Sequence, residues 1–511
     1  GSMPAAQSSS SGEGGGSVGP RYHEVRAKSA HNAYERNEAV FDQLVYHRVR
    51  SLEFDIHTDK LGWPSPSGDW YVYHDTLSSK TTCHRLSDCL RELRAFHDAV
   101  PAHEVISLIL DVKSDFKTGQ EPADLDALIS STFPNNMVYR PADALGACPA
   151  ATSLRDAVAG ACRWPSLASL RGKLLILLTG GDSCTTTSHV TRYAANATET
   201  SERSAFIAPN IHALCPWSSY ANARDHIACF NMAALDAGHA LDVQQAGLVG
   251  RVWGINTATS WGIAFNNRAQ LLSTDKVNAD QDPWAKTHNK SGWPFECFSE
   301  CSAPADETGQ LLTVEVSSGD IYNQEDSAYF LRRDVTTTSS KASAWAAYLA
   351  TPNSHVEPWA KGCLIARRGD HQDAANFAVC RPADVHRIRV QVRANDGDST
   401  QSYDGSINPA NTIDDPSAAF LRLEVEPGAK TFRGMASQDG KTWVLIHEQT
   451  FAQPLYLQGI AASSHDSGTV RFAFGNLTRS ISGETPVSQP MKDLTAVPIG
   501  AQASGSAHDG F

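Results

Sequence analysis

The most constraining feature of this 511-residue sequence is a continuous apolar run, Val105-Ile106-Ser107-Leu108-Ile109-Leu110, that stops at Asp111. A strand with one wet face alternates polar and apolar residues. A run apolar at nearly every position is buried on both faces, as in a parallel sheet covered by helices. Residues 173–179 share this texture, and shorter runs at 24–30, 49–56, 70–73, 205–209, 251–256 and 269–274 bring the strand candidates to eight. Helical segments are expected between several of them, at 38–47, 86–99, 123–132, 153–161 and 221–237; in 86–99 the apolar positions are Leu90, Leu93 and Phe96. Eight β/α repeats in about 250 residues predict an α/β TIM-type barrel, with an open doubly wound sheet as the alternative.

From about residue 308 the strands become short and alternating, and Gly, Asp and Asn collect in turns. The run Phe420-Leu421-Arg422-Leu423-Glu424-Val425-Glu426 alternates strictly, and the Gln438-Asp439-Gly440-Lys441 turn between two β-rich runs predicts a hairpin. This part reads as an all-β jelly-roll sandwich with one helix at 340–350, and Trp443 is expected in its core. The expected order is a tag and flexible linker at 1–20, the barrel at 21–295, a linker at 296–309, the sandwich at 310–480 and a weakly ordered tail at 481–511.

The formal net charge of −13 argues against a general affinity for nucleic acid or an anionic membrane. No apolar run approaches the roughly 18 residues of a transmembrane segment. The eleven cysteines include the local pairs Cys83/Cys89, Cys148/Cys162, Cys297/Cys301 and Cys363/Cys380, none at zinc-site spacing. Disulfides in a secreted or periplasmic protein are the expected reading. Cys184, Cys215 and Cys229 remain, and the odd number leaves at least one thiol unpaired within the chain. Asn196-Ala197-Thr198 fits a glycosylation sequon.

In a parallel barrel, functional residues gather at the carboxyl ends of the strands. His31 and Asn32 are expected at the end of strand one, Glu53 and Asp55 on one face of strand two, His74 at the end of strand three, and Asp111 with Lys113 at the end of strand four. Three carboxylates brought together repel unless a cation lies between them. Glu53, Asp55, Asp111 and the Asn32 carbonyl are hard oxygen donors, which suit Ca2+, and after it Mg2+, better than zinc. Two histidines beside such an ion suit acid–base or charge-stabilising work on a phosphoryl group.

This series of residues resembles the catalytic barrel of phosphatidylinositol-specific phospholipase C, most of all its calcium-dependent secreted microbial branch. Thr82-Cys83-His84-Arg85-Leu86-Ser87-Asp88-Cys89-Leu90 and Ala269-Gln270-Leu271-Leu272-Ser273-Thr274-Asp275 extend the resemblance over about residues 22–285. It implies that Asn32, Glu53, Asp55 and Asp111 bind Ca2+, that His31 stabilises charge at phosphorus, and that His74 is the general acid for the leaving group. Glu53 would help to deprotonate an attacking hydroxyl; attack from within the substrate would give a cyclic phosphate. Metazoan members hold ring phosphates with two lysines near the end of strand five. Here Leu175-Ile176-Leu177-Leu178-Thr179-Gly180 has no base. The expected substrate is therefore unphosphorylated phosphatidylinositol, a GPI-type glycan or another phosphodiester, with Lys113 contacting phosphate. Asp111 is also shorter than the glutamate of the metazoan pattern. Glycerophosphodiester phosphodiesterases and sphingomyelinase D-like enzymes share the layout and are the alternative enzyme reading. Leu421-Arg422-Leu423, the 437–443 turn and Gly459-Ile460-Ala461-Ala462-Ser463-Ser464-His465 look like the concanavalin-like modules of bacterial secreted enzymes. Those imply a carbohydrate ligand, and in the third reading a glycan-binding protein with an inactive barrel.

Overall fold

The computed structural model describes residues 19–509 except 39, 76–79, 182–188, 195–201, 221–224, 280, 288–292, 300–310, 351–356, 384–386, 408–417, 466–467, 490 and 501–503. The sequon, Cys184 and Cys301 fall outside the described residues.

Eight parallel strands close into a ring: β1 (Val25–Ala30), β2 (Ser51–His57), β3 (Ile106–Val112), β4 (Leu174–Thr179), β5, β6 (Cys229–Ala233), β7 (Val249–Trp253) and β8 (Leu271–Thr274), which pairs back to β1. Strand β5 has two pieces. Phe206–Ile207 pairs with β4 and Asn210–Ile211 with β6. Pro209 lies between them and has no N–H to give to a ladder. The apolar run of the sequence is the core of β3, whose Ile106 and Leu108–Leu110 are at most 1% exposed.

The expected count of eight was reached through two misplacements. Residues 70–73 are not a barrel strand; Tyr71–Val72 pair antiparallel with the end of β2, outside the ring. The strand β6 lies inside 221–237, a stretch expected to be helical. Of the helices, 86–99 is found as Leu86–Ala99, 123–132 as Pro122–Thr132 and 153–161 as Leu154–Ala159.

Two antiparallel sheets follow, one of eight strands, with Val487–Ser488 beside Thr469–Ile481 off its main path, and one of seven. One runs from Val444–Thr450 through Thr431–Ser437, Ala418–Val425, Ser343–Ala350, Thr469–Ile481 and Leu311–Ser317 to Ser504–Asp509. The other runs from Gln401–Gly405 through Ile388–Arg393, Asn376–Pro382, Lys361–Arg367, Leu457–Ser463 and Ala328–Asp334 to Thr495–Ile499. The 431–450 hairpin forms as expected, its turn fixed by Asp439 Oδ1, which accepts from the Lys441 and Thr442 amides at 2.8 and 2.7 Å. Three expectations are corrected. Residues 340–350 are not helical, because Ser343–Ala350 is a central strand paired on both sides. The tail is not loose: Val487–Ser488 and Ser504–Asp509 join the first sheet and Thr495–Ile499 the second. Trp443 is half-buried rather than in the core.

The two parts pack directly: the Tyr46 hydroxyl donates to the Ala350 carbonyl at 2.7 Å and accepts from the Ala473 amide at 2.9 Å. Cys83–Cys89, Cys148–Cys162 and Cys363–Cys380 are disulfides. Cys215 and Cys297 are also disulfide-bonded, and Cys229 is a buried free thiol. No helix among the described residues is long and apolar enough to cross a membrane.

Candidate active site

The carboxyl ends of β1, β2 and β3 meet at one rim. Asp55 of β2 stands level with Asp111 of β3 in the sheet register, and Glu53 is two residues back on the same face. Oxygens of Glu53, Asp55 and Asp111 all lie within 4.8 Å of one another. Asn32 follows β1 in a left-handed conformation, with φ of 48°, and its amide donates to Glu53 Oε2 at 2.9 Å.

His31 is held from behind. Its Nδ1 lies 2.9 Å from Asp275 Oδ1, just past the end of β8, and its ring stacks on Trp253. Asp275 is fixed in turn by Arg36 at 3.0 Å and by the Asn256 amide at 2.6 Å. The Nε2 of His31 faces Glu53 Oε2 at 3.9 Å.

His74 reaches the site by another route than a barrel strand. Val72 pairs antiparallel with Ile56, and His74 follows two residues beyond the end of that short strand. Its Nδ1 is 3.0 Å from Asp55 Oδ2 and 3.3 Å from the Asn32 side-chain amide. Lys113 places its ammonium 2.6 Å from Asp111 Oδ2 and 3.3 Å from Asp55 Oδ2, so it lies among the acids themselves.

The electrostatics follow from these contacts. Burial alone would push Glu53 up, but Arg251 at 2.7 Å, His31, the Asn32 amide and Lys113 outweigh it and hold the carboxyl at about 2. Asp55 is pushed up to about 6 by burial, opposed by His74 and reinforced by the charges of Glu53 and Asp111. His74 is raised, first by its hydrogen bond to Asp55. Burial lowers the Lys113 ammonium, yet Asp111 and Asp55 more than reverse this and its pKa is raised.

These groups open onto a cavity of about 490 Å³. Sequence reasoning missed part of its wall. Arg251 on β7 is 1% exposed and ties Glu53 to Asn231 on β6 and to Ser273 on β8. Asn231 donates to Asn210 of β5 at 2.6 Å. Trp253, two residues beyond Arg251 on the same face, and His189, after β4, complete that side. The i, i+2 pair Arg251 and Trp253 at a strand end was a legible signal; nothing near His189 in the sequence marked it.

All seven residues singled out from the sequence are thus gathered here: His31, His74, Asn32, Glu53, Asp55, Asp111 and Lys113. A divalent cation fits the donor set. Asp55 Oδ1 is buried without a hydrogen-bond partner beside two further carboxylates, a state that favours an added positive charge.

Residues 72–286 match the family described as phosphoinositide phospholipase C, Ca2+-dependent. Among solved structures, the calcium-dependent phosphoinositol-specific phospholipase C of a Pseudomonas species is similar at 22% identity, covering 55% of this chain and 96% of that one, with a TM-score of 0.45. The Ca2+-dependent phosphatidylinositol-specific phospholipase C of Streptomyces antibioticus is similar at 20% identity, covering 51% and 96%, with a TM-score of 0.42. A phosphodiesterase of Oleispira antarctica, solved with sn-glycerol-3-phosphate, shares 12% identity over 51% and 97%, with a TM-score of 0.31. No curated protein sequence matches the chain.

Proposed function

We propose that this protein, whose barrel belongs to the Ca2+-dependent phosphoinositide phospholipase C family, is a secreted enzyme that cleaves the phosphodiester of phosphatidylinositol or of a related inositol or glycan phosphodiester, by internal attack that leaves a cyclic phosphate. The observation that carries this reading is the pair of histidines, His31 and His74, lining one cavity with the Glu53–Asp55–Asp111 cluster.

Each residue has a role its contacts support. Asp275 orients His31, which donates from Nε2 to a phosphoryl oxygen as charge builds there. Asp55 favours the protonated form of His74, the form that delivers a proton to the leaving-group oxygen. Glu53, held ionised by Arg251, accepts the proton of the attacking hydroxyl. Glu53, Asp55, Asp111 and the Asn32 side chain would hold Ca2+, which when bound lowers the charge on the phosphodiester and steadies that hydroxyl. Lys113 contacts the phosphate once freed from Asp111. Disulfides throughout both domains support export, and a carbohydrate ligand on the sandwich would tether the enzyme to its substrate.

Phosphorus NMR of the products tests this. A five-membered cyclic phosphate that appears with Ca2+ and vanishes with chelator is expected. A linear monoester as the first product would move the assignment to the glycerophosphodiesterase reading.

A further inference from the structure

One wall of the cavity has a role that the charge cluster does not explain. Beyond β4 the chain contributes Gly180, Gly181 and His189 to the lining. The two glycines bring no side chain, and at position 180 none would fit: φ is +126°, and a Cβ would come within 2.4 Å of the Val112 carbonyl oxygen. That carbonyl accepts a hydrogen bond from His189 Nδ1 at 2.7 Å. Val112 lies between Asp111 and Lys113, so His189 is anchored to the backbone that carries part of the charged cluster.

The hydrogen bond fixes what His189 can offer. A carbonyl oxygen accepts but cannot donate, so Nδ1 carries the proton, and Nε2 of the neutral ring is left as an acceptor. Next along the wall, Asn210 accepts from Asn231 and donates to the Gly181 carbonyl at 3.4 Å, and Asn231 accepts from Arg251. The cations among the described lining residues are Lys113 and Arg251, besides the histidines. Arg251 is committed to Glu53, and Lys113, paired with Asp111 and Asp55 here, serves the scissile phosphate once released, so neither is left for a second phosphate. This half of the cavity is therefore built from an imidazole acceptor, two carboxamides, bare glycine backbone and the Trp253 ring.

We propose that His189 is a specificity-determining residue that accepts a hydrogen bond from a head-group hydroxyl, so that the site takes a polyol or glycan head group carrying no phosphate on that side. This rests on the phosphodiesterase reading above and names the residue that sets its substrate. A hydroxyl can donate to Nε2. A phosphate ester there would set acceptor against acceptor, with no uncommitted cation among the described lining residues to offset it, and a site built to bond a hydroxyl rejects an analogue that leaves its polar groups unpaired.

The test compares phosphatidylinositol with phosphatidylinositol 4-phosphate in mixed micelles with Ca2+, using the full chain and its His189→Leu, His189→Gln and His189→Lys variants. Wild-type protein should prefer phosphatidylinositol at least about ten-fold in kcat/KM. His189→Leu should raise KM for phosphatidylinositol by about ten-fold, the loss of one hydrogen bond, with kcat within about two-fold. His189→Gln, which restores an acceptor, should recover most of that loss. His189→Lys should narrow the preference between the two lipids by about ten-fold. An unchanged KM in His189→Leu, a loss confined to kcat, or an unchanged preference in His189→Lys would overturn the assignment. An unaltered Ca2+-induced thermal shift in each variant separates these results from misfolding. Wild-type protein inert on every phosphodiester would instead sink the parent reading, and this inference with it.

Discussion

Both domains bury carboxylates, and they treat them in opposite ways. In the sandwich, Asp326 is 1% exposed and both of its oxygens are fully engaged. Oδ1 accepts from Arg393 at 2.8 Å, and Oδ2 accepts from Arg367, from Arg393 at 3.0 Å and from Asn376 at 2.9 Å. Each arginine spends further donors on backbone carbonyls, among them those of His371 and Ala374. In the barrel, Glu53, Asp55 and Asp111 share two side-chain cations, Lys113 and Arg251, and Asp55 Oδ1 has no partner. A buried charge closed by donors holds a fold together, whereas one left short of positive charge is poised to take up a cation.

The largest effect separates catalysis from folding within the open cluster. His31→Ala and His74→Ala should each cut turnover by about a thousand-fold or more, while the far-ultraviolet circular dichroism and unfolding midpoint stay near wild type. His31 is tied to Asp275 and His74 to Asp55, and neither lies in the barrel's hydrophobic core. Full activity in either variant would break the contrast, because the barrel cluster would then be structural like its counterpart.

Next comes stability. Asp326→Ala leaves Arg367 and Arg393 buried and unpaired, and should cost about 3–5 kcal/mol in urea unfolding with the barrel's Ca2+ binding preserved. Asp55→Asn removes a carboxylate that already lacks a partner on one oxygen. It should leave metal-free stability unchanged or improved while abolishing the Ca2+-induced rise in unfolding midpoint. Equal destabilisation by both would erase the distinction between closed and open clusters.

This contrast was only partly legible in the sequence. The strand-end rule found His31, Glu53, Asp55 and Asp111 because each follows or ends a run whose apolar texture marks a buried parallel strand. His74 was found for an insufficient reason, since its segment is a two-residue antiparallel addition that folds back over β2. The strand β6 was missed because Cys229–Ala233 itself carries no β-branched residue and lies in an Ala-rich stretch, and only its neighbours in the ring make it extended. Ser343–Ala350 was missed for the same reason, its alanines filling a central strand between two partners. Arg251, Asp275 and His189 act through partners far away in sequence, and one-dimensional spacing does not show those contacts.

Lys113 gives a smaller and sharper test. Its ammonium bonds the same Asp111 and Asp55 oxygens that a cation held between those acids would use. Removing it makes the cluster more negative by one charge. Calorimetric titration of Lys113→Met should therefore show Ca2+ affinity tightened by about ten-fold, while kcat/KM falls for want of a phosphate contact. Unchanged or weaker affinity would mean that Lys113 supports the site rather than competing for it.

The smallest effect is the pH dependence of the metal-free protein. Asp55 titrates at about 6 when folded, because burial and then the nearby charges of Glu53 and Asp111 outweigh His74. An unfolded aspartate titrates near 3.9. Between those values the folded chain holds more protons than the unfolded one, so this group contributes stability below about pH 4 and loses it as pH rises through 6. The raised His74 acts in the same direction. Glu53, held at about 2, has the opposite sign, but its window lies below that of the unfolded carboxylate near 4.3 and does not reach this range. The urea midpoint should therefore fall from about pH 5 to about pH 7 without metal. Asp55→Asn should flatten much of that slope. Ca2+ should reverse it, because binding requires the ionised carboxylates and gains as they deprotonate. A slope that survives both Asp55→Asn and Ca2+ would place its origin outside the open cluster.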